Sequence, residues 1–344
     1  MTTTREDGAL RADQAVEALL EHALPRPMPP SGDERMICEA VQAEWQAVTG
    51  RRRNRTRLTR FAIAATVLLA VIVSFNALRE SGIAPVQVAT INKSYGSILL
   101  GNQSQLNELS DFSTIMAGQS VVTRTDSGIS LEWGRGGSLR IDAETRIEFI
   151  SAEEVYLRSG RIYFDSTPSE LIAGMPAGSV ATKFRIKTDH GTVTHVGTQY
   201  MTHSSGTELT ITVREGRVSM DGKYHNETVL EGQQLKVTGS KRANAVNFPR
   251  HGAAWDWVEA TAPVANVDGR SVDEFLKWVS RETGLRISYE SPGAEQKARA
   301  GILKGKVDMD PRSALEFRMM GEDLNWQIDG GTINVSLKKE NSGP

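Results

Sequence analysis

The chain has 344 residues, and its 40 Lys and Arg nearly balance its 42 Asp and Glu, which leaves a formal net charge of −2. This near-neutral balance gives no electrostatic reason to expect direct binding to nucleic acid. The single cysteine, Cys38, excludes an internal disulfide, so stability has to come from apolar cores and backbone hydrogen bonds.

Residues 1–60 predict a short helical head that ends in a basic flank. A proline-rich stretch at 25–30 separates two helices. In the second helix the apolar residues recur at helical spacing, and they are Ile37, Val41, Trp45 and Val48. Two short helices bury little core, so this stripe predicts a docking surface for a partner protein. A membrane-proximal stalk is the alternative.

An uncharged apolar run at residues 61–78 follows a cluster of six arginines: Arg51, Arg52, Arg53, Arg55, Arg57 and Arg60. As a helix it would extend about 27 Å at about 1.5 Å per residue, close to the hydrocarbon core of a bilayer. Positive flanks stay in the cytoplasm, so the run predicts one transmembrane helix with the N-terminus inside. A buried core helix and a cleaved signal peptide are the alternatives.

Residues 79–94 predict a tether, and residues 95–245 predict an all-β sandwich or roll. Apolar residues there alternate with period 2, as at Ile129, Leu131 and Trp133, and glycines separate the alternating segments. Many short strands joined by glycine-containing turns are typical of an all-β domain.

The remaining sequence predicts a linker at 246–261, a small α/β module at 262–338 and a disordered tail at 339–344. In the module, Ser271 and Glu274 form a capping-box pattern in front of an apolar helix face. Strand-like segments follow this helix and a second one, and a glycine pair indicates a final hairpin.

Motifs for catalysis are lacking in the sequence. His190, His195 and His203 have no metal-ligand spacing. Nucleophile-elbow, zinc-protease and phosphate-loop motifs are absent as well. The sequence therefore predicts a protein that is not an enzyme, with no catalytic residues, no bound metal and no cofactor.

A series of motifs in the middle segment resembles the FecR-type transmembrane regulators. It runs LRIDAETRIEF, VYLRSGRIYFDS, FRIKT, VTHVGTQY and LTITVREGRVSM. Residues 196–200 are similar to the end of the family's Val-x-Gly-Thr-x-Phe pattern, with Tyr200 in place of Phe, and Ser166 stands where the family usually has Val. Downstream, AWDWV and VDEFLKWVSRETGLRISY resemble the family's C-terminal module, which is itself similar to the short domain of secretins and TonB-dependent receptors.

The resemblance implies a single-pass protein of the Gram-negative inner membrane, with its C-terminal body in the periplasm. In the family, the body receives a signal, often from a TonB-dependent receptor, and the head controls an extracytoplasmic-function sigma factor. The implied partners are thus a sigma factor, a TonB-dependent receptor or another envelope protein, and the lipid bilayer. The alternative is a membrane-anchored periplasmic scaffold or envelope-binding protein that has the same domain and no sigma-factor partner.

Some members of the family cleave themselves at the Gly-Thr of this motif, and the matching bond here joins Gly197 and Thr198. In such a reaction the threonine hydroxyl attacks the preceding carbonyl, and glycine admits the strained backbone. The alternative is a simple β-bulge at Gly197, with Thr198 as an ordinary strand residue.

Overall fold

The computed structural model describes residues 16–18, 21, 30, 32–33, 35–46, 86–102, 104–109, 114–134, 136–167, 170–172, 184–223, 226–239 and 244–338. The chain divides into two compact units, Met1–Gly82 and Ile83–Pro344. In the first unit, residues 35–46 form a helix, here named the head helix, and all of them are exposed.

The second unit begins with a large sheet. Its strands are β1 (Gln87–Tyr95), β2 (Ile98–Asn102), β3 (Gln105–Glu108), β4 (Thr114–Met116), β5 (Ser120–Thr123), β6 (Gly128–Trp133), β7 (Ser138–Ile141), β8 (Arg146–Ser151), β9 (Glu154–Asp165), β10 (Arg185–Thr188), β11 (Gly191–Ser204), β12 (Glu208–Gly222), β13 (Asn226–Leu230), β14 (Gln233–Thr238) and β15 (Val246–Asn247). The main path runs β15-β14-β12-β11-β10-β9-β7-β6-β1-β4. The sheet is mixed, because β10 pairs with β9 in parallel while the neighbouring pairs are antiparallel.

One face of this sheet packs on the main apolar core. The period-2 alternation places Ile129, Leu131 and Trp133 in that core, as expected when successive side chains of a strand point to opposite faces. Aromatic rings fill its centre, where the Phe164 and Phe184 rings stack with centroids 4.0 Å apart.

The opposite face of the sheet is covered by the segment that follows β15. A 3-10 helix, Ala253–Trp255, leads directly into α1 (Asp256–Ala260). Trp255 and Val258 from this segment pack on Tyr163 and Met201 from the sheet and form a second, smaller apolar cluster. Residues 246–261, which the sequence predicts as a linker, therefore contain a packed layer, and the centres of β9 and β11 are buried on both faces.

The C-terminal module contains three helices and two small sheets. The helices are α2 (Val272–Thr283), α3 (Pro292–Ala300) and α4 (Pro311–Met319). One sheet pairs β16 (Ala265–Asn266) with β18 (Lys306–Val307), and the other has the order β17 (Arg286–Tyr289), β20 (Thr332–Leu337), β19 (Leu324–Asp329). Ser271 and Glu274 form the capping box of α2, which ends at Gly284 with a left-handed φ of 73°.

The predicted fold class, with its all-β sandwich or roll and its one transmembrane helix, is wrong. Strands β1–β15 join in one large mixed sheet. The alternation pattern marks each strand but does not determine which strand lies next to it, so it could not predict this sheet. No helix in the described parts of the chain is long and apolar enough to cross a membrane. A span needs about 20 apolar residues, whereas α2, for example, has 12 residues and carries charges.

Several predicted segments lie wholly or partly outside the described residues. These are the apolar run at 61–78, the arginine cluster before it, Val48 and the tail at 339–344. Of the predicted tether at 79–94, residues 87–94 belong to β1.

Candidate functional site: a strand bulge and a buried charge cluster

The Gly197–Thr198 bond lies in a β-bulge of β11. The register of β11 against β12 shifts between Val196 and Gln199, so that two residues of β11 lie opposite Gly216. Gly197 has a left-handed φ of 58°, a conformation that glycine adopts without steric cost. The sequence left open a bulge at this position, and the structure contains it.

Close backbone packing surrounds this bulge. A Cβ atom on Gly216 would lie 2.2 Å from the carbonyl oxygen of Gly197 and 2.9 Å from Cγ2 of Thr198, so only glycine fits opposite the bond. Gly197 itself is exposed, whereas Thr198 is buried. The bond therefore lies at the boundary between solvent and core.

Ser166 fixes the backbone of the bulge. The Thr198 amide donates to Ser166 Oγ at 2.7 Å, and the Ser166 amide donates to the Thr198 carbonyl at 3.0 Å. A valine, usual at this position in FecR-type proteins, could not accept the first bond. Thr198 Oγ1 is buried and has no hydrogen-bond partner among the described residues. Hydrogen bonds therefore fix the backbone of Thr198, whereas its hydroxyl group makes none to the described residues.

A buried cluster of charged and polar side chains lies on the face of the sheet opposite the main apolar core, beneath α1 and α2. Its members, here named the charge cluster, are Arg140 on β7, Tyr163 and Asp165 on β9, Arg214 on β12, and Glu282 near the end of α2. The Tyr163 ring contacts both guanidinium groups, whose Cζ atoms are 5.0 Å and 5.7 Å from its centroid. The geometry is that of paired cation–π contacts.

Arg140 joins the sheet to both covering helices. Its Nη2 donates to Glu282 Oε2 at 2.5 Å, and its Nη1 donates to the Val258 carbonyl in α1 at 2.7 Å. Burial lowers the pKa of Arg140, but the acidic groups around it, Glu282 first and then Tyr163 and Asp165, together outweigh burial and raise that pKa. The guanidinium therefore stays charged in the interior.

Arg214 binds the C-terminal end of α2. Its Nη1 donates to the Glu282 carbonyl at 2.8 Å, and its guanidinium lies 4.1 Å from the Trp255 ring centroid. Carbonyl groups in the last turn of a helix lack partners within the helix and favour cations. The sheet thus supplies hydrogen-bond donors to the ends of the helices that cover it.

Arg281 connects the module to the bulge. It donates two hydrogen bonds to Asp165, at 3.0 Å and 2.5 Å, and one to Glu215 at 3.1 Å. Gln199 Nε2 donates to the same Asp165 carboxylate at 3.0 Å. Since Asp165 precedes Ser166 and Gln199 follows Thr198, the residues that bind α2 are chain neighbours of those that hold the bulge.

The predicted docking residues lie on the head helix. Ile37, Val41 and Trp45 are exposed by 60%, 61% and 69%. Together with Cys38 and Gln42 they line one shallow apolar pocket of about 390 Å³. Three of the four predicted residues therefore share one face, and docking of a partner there stays a prediction.

The three histidines have separate environments. His190 Nε2 lies 3.0 Å from the Ser205 carbonyl oxygen. His195 is buried in the main core, and His203 is half-buried, with burial lowering its pKa. Within the described ranges, no group of three or more His, Cys, Asp or Glu residues could hold a metal ion.

The charge cluster is the part of this site that the sequence did not predict. Arg140 lies between Leu139 and Ile141, so alternation places it on a face that would normally be solvated. Its partner Glu282 is 142 residues away in the chain. The only available signal was the tryptophan-containing segment AWDWV, whose apolar residues need a surface to cover.

Comparisons with known proteins agree with the motifs of the middle segment. Residues 119–219 match the family model for FecR protein, and this range contains the bulge and the sheet residues of the charge cluster. No curated protein matches the chain. Two crystal structures of a candidate anti-sigma factor from Parabacteroides distasonis ATCC 8503 are 13% and 14% identical over 63% and 64% of this chain and 97% and 99% of theirs, with TM-scores of 0.33 and 0.32. The match to the family model confirms the resemblance that the motifs indicated: residues 119–219 of this chain are similar to FecR proteins.

Proposed function

We propose that the chain is a regulator of an extracytoplasmic-function sigma factor, and that it acts by binding rather than by enzymatic catalysis. The observation that carries this proposal is the similarity of residues 119–219 to FecR proteins. The head helix supplies the surface for the sigma factor, and the second unit receives the signal.

The apolar stripe of the head helix supports the binding role. Ile37, Val41 and Trp45 follow one another at intervals of four residues and are all more than half exposed. Burying side chains of this size stabilises a complex by about 1.5–3 kcal/mol each. An amphipathic helix of this kind fits an apolar groove, and tryptophan is among the residues that contribute most at interfaces.

Val41→Asp is expected to weaken sigma-factor binding by about 100-fold or more, because it places a charge in a desolvated apolar contact. The measurement is co-purification of the tagged full chain with the extracytoplasmic-function sigma factors of its own genome. Glu39→Ala is the matched control, since Glu39 lies on the other side of the same helix. Equal recovery with both variants contradicts the proposed surface. If neither the variants nor the wild type recovers a sigma factor, the scaffold alternative is favoured.

The same proposal includes a partner for the second unit, namely a TonB-dependent receptor or another envelope protein. Among the described residues, β19 pairs with β20 on one side only. Its other edge offers unpaired backbone groups to an added strand. Location of the protein in the inner membrane, with this unit in the periplasm, stays a prediction from the sequence.

We also propose that the chain cleaves itself between Gly197 and Thr198. The left-handed glycine, the solvent-exposed side of the bond and the uncommitted Thr198 hydroxyl support this reaction. Cleavage would divide the FecR-like domain between β11 residues that the sheet holds together, so the fragments would stay associated until a force or a protease separates them.

Thr198→Ala is expected to leave the chain intact, whereas the wild type divides into residues 1–197 and 198–344. The reason is that alanine removes the hydroxyl group that attacks the Gly197 carbonyl carbon in the proposed reaction. Immunoblots with a tag at each end of the full chain measure the fraction cleaved. Thr198→Ser keeps the hydroxyl and is expected to cleave. Persistence of an intact wild-type chain, or cleavage of the alanine variant, overturns this proposal.

A further inference from the structure

Six of the sixteen buried polar side-chain atoms that have no hydrogen-bond partner among the described residues lie on β11. They are both ring nitrogens of His195, Oγ1 of Thr198, the hydroxyl of Tyr200, Oγ1 of Thr202 and Oγ of Ser204. Buried polar atoms in native proteins are nearly always hydrogen-bonded. Several buried polar atoms without hydrogen bonds on one strand, beside the Gly197–Thr198 bond, therefore indicate a function for some of these side chains.

The bulge is what brings His195 to the same side of the sheet as Thr198. Residues an odd number of positions apart on a regular strand point to opposite faces. His195 and Thr198 are three positions apart, but the extra residue at Gly197 restores a common face. The ring contacts place His195 and Tyr200 on one face: His195 packs on Phe164 with centroids 5.2 Å apart and on Tyr200 with centroids 6.2 Å apart. Thr198 is two positions before Tyr200 on the same strand, so its side chain points to that face as well.

The surroundings of His195 keep its ring neutral. Burial lowers the pKa of the ring below its ordinary value near 6.5. The side chains that meet it are Phe164 from β9 and Tyr200 from β11, and Val218 lies opposite it on β12. Of these only Tyr200 titrates, and burial raises the pKa of its hydroxyl, so it too stays neutral. At neutral pH one ring nitrogen of His195 thus carries a free lone pair.

We propose that His195 accepts the hydroxyl proton of Thr198 during cleavage of the Gly197–Thr198 bond. This inference rests on the self-cleavage proposed above and names the group that activates the nucleophile. The structure has no hydrogen bond between the two side chains. Catalytic hydrogen bonds are commonly long or poorly aligned before a reaction begins, and the common face of the two side chains is the observation on which this proposal rests.

The proposed cleavage proceeds through an ester that joins Thr198 to Gly197. Thr198 Oγ1 forms a bond to the carbonyl carbon of Gly197 as His195 takes the hydroxyl proton. The C–N bond of the peptide then breaks, and His195 passes the proton to the Thr198 nitrogen, which becomes an amine. Water hydrolyses the resulting ester: its hydroxide stays on the Gly197 carboxyl group, and its proton returns to Thr198 Oγ1.

The test is the cleavage rate of the newly synthesised full chain, followed by pulse labelling. His195→Phe keeps a ring of similar size in the core and is expected to slow cleavage by about 100-fold, within the range of general-base contributions. Thr202→Val is the matched control, since it removes an equally buried and unpartnered hydroxyl from the same strand. It is expected to cleave at the wild-type rate. Thermal unfolding checks that both variants fold. If the His195→Phe variant does not fold, His195→Gln is the second variant to be measured.

The pH profile separates proton transfer from packing. The wild-type rate is expected to stay level from pH 8 through pH 6.5 and to fall only at lower pH, where His195 gains a proton, because burial lowers the pKa of this ring. His195→Phe is expected to lack this step. If Thr198→Ala blocks cleavage but His195→Phe cleaves at the wild-type rate, the role of His195 is overturned while self-cleavage stands. If the wild type is not cleaved, both proposals fail.

Discussion

Glu282→Ala is expected to destabilise the second unit by about 3–5 kcal/mol, the usual cost of breaking a buried ion pair. Glu282 is 1% exposed, and its partner Arg140 is fully buried at 0%. Without the carboxylate, the guanidinium would stay in the interior next to Tyr163 with only the Val258 carbonyl as a hydrogen-bond acceptor. The charge would then be largely uncompensated, which costs more than the intact pair contributes.

Urea unfolding of the full chain, followed by tryptophan fluorescence, measures this effect. Glu290→Ala removes an exposed carboxylate from the same module and is expected to change the free energy of unfolding by less than about 0.5 kcal/mol. Replacing both partners by Arg140→Met and Glu282→Leu is expected to cost less than Glu282→Ala alone, because no unpaired charge remains. A Glu282→Ala variant as stable as the Glu290→Ala control contradicts the importance of the charge cluster.

Trp255→Ala is expected to cost a similar amount, about 3–5 kcal/mol. Trp255 is fully buried, donates its indole hydrogen to the Pro249 carbonyl at 2.9 Å and packs edge-on against Tyr163 with centroids 6.3 Å apart. Its removal would open a cavity between the sheet and α1 and take away the ring that contacts Arg214. The prediction applies to a segment that the sequence assigned to a linker.

Thermal and urea unfolding again provide the measurement. Trp255→Phe keeps an aromatic ring under Arg214 and is expected to lose less than half as much stability as the alanine variant. Trp326→Ala, a partly buried tryptophan of the module, tests whether any tryptophan loss has the same effect. A Trp255→Ala variant within about 0.5 kcal/mol of the wild type would show that the segment behaves as a simple linker.

Local features of the fold were the predictable ones. Alternation at Ile129, Leu131 and Trp133 marks a strand, and the Ser271–Glu274 capping box marks the start of α2, because both depend on residues close in sequence. The partner of a strand depends on distant residues. The parallel pairing of β10 with β9 could therefore not be predicted from the alternation of apolar residues. The structure has a mixed sheet where the alternation predicted a sandwich or roll.

The candidate site was likewise predictable only where it depends on residues close in sequence. Gly197 and Thr198 were identifiable as a motif, and a β-bulge at Gly197 was one of the two interpretations of it. His195 was not identifiable as a neighbour of Thr198, since strand parity places residues three apart on opposite faces and only the bulge reverses this. In the sequence, Arg140 has the pattern of a solvent-exposed strand residue. It is buried because α1 and α2 cover that face of the sheet.

Transcript levels in cells test the central claim most directly, namely that the chain regulates a sigma factor through its head. The comparison uses a strain that lacks the chain, complemented with the wild-type chain, with the Val41→Asp variant or with the Glu39→Ala control. We expect one set of sigma-dependent transcripts to change in the deletion strain, to return to normal with the wild type and with Glu39→Ala, and to stay changed with Val41→Asp. Transcripts that are unaffected by the deletion, or that Val41→Asp restores as fully as the wild type, would contradict it.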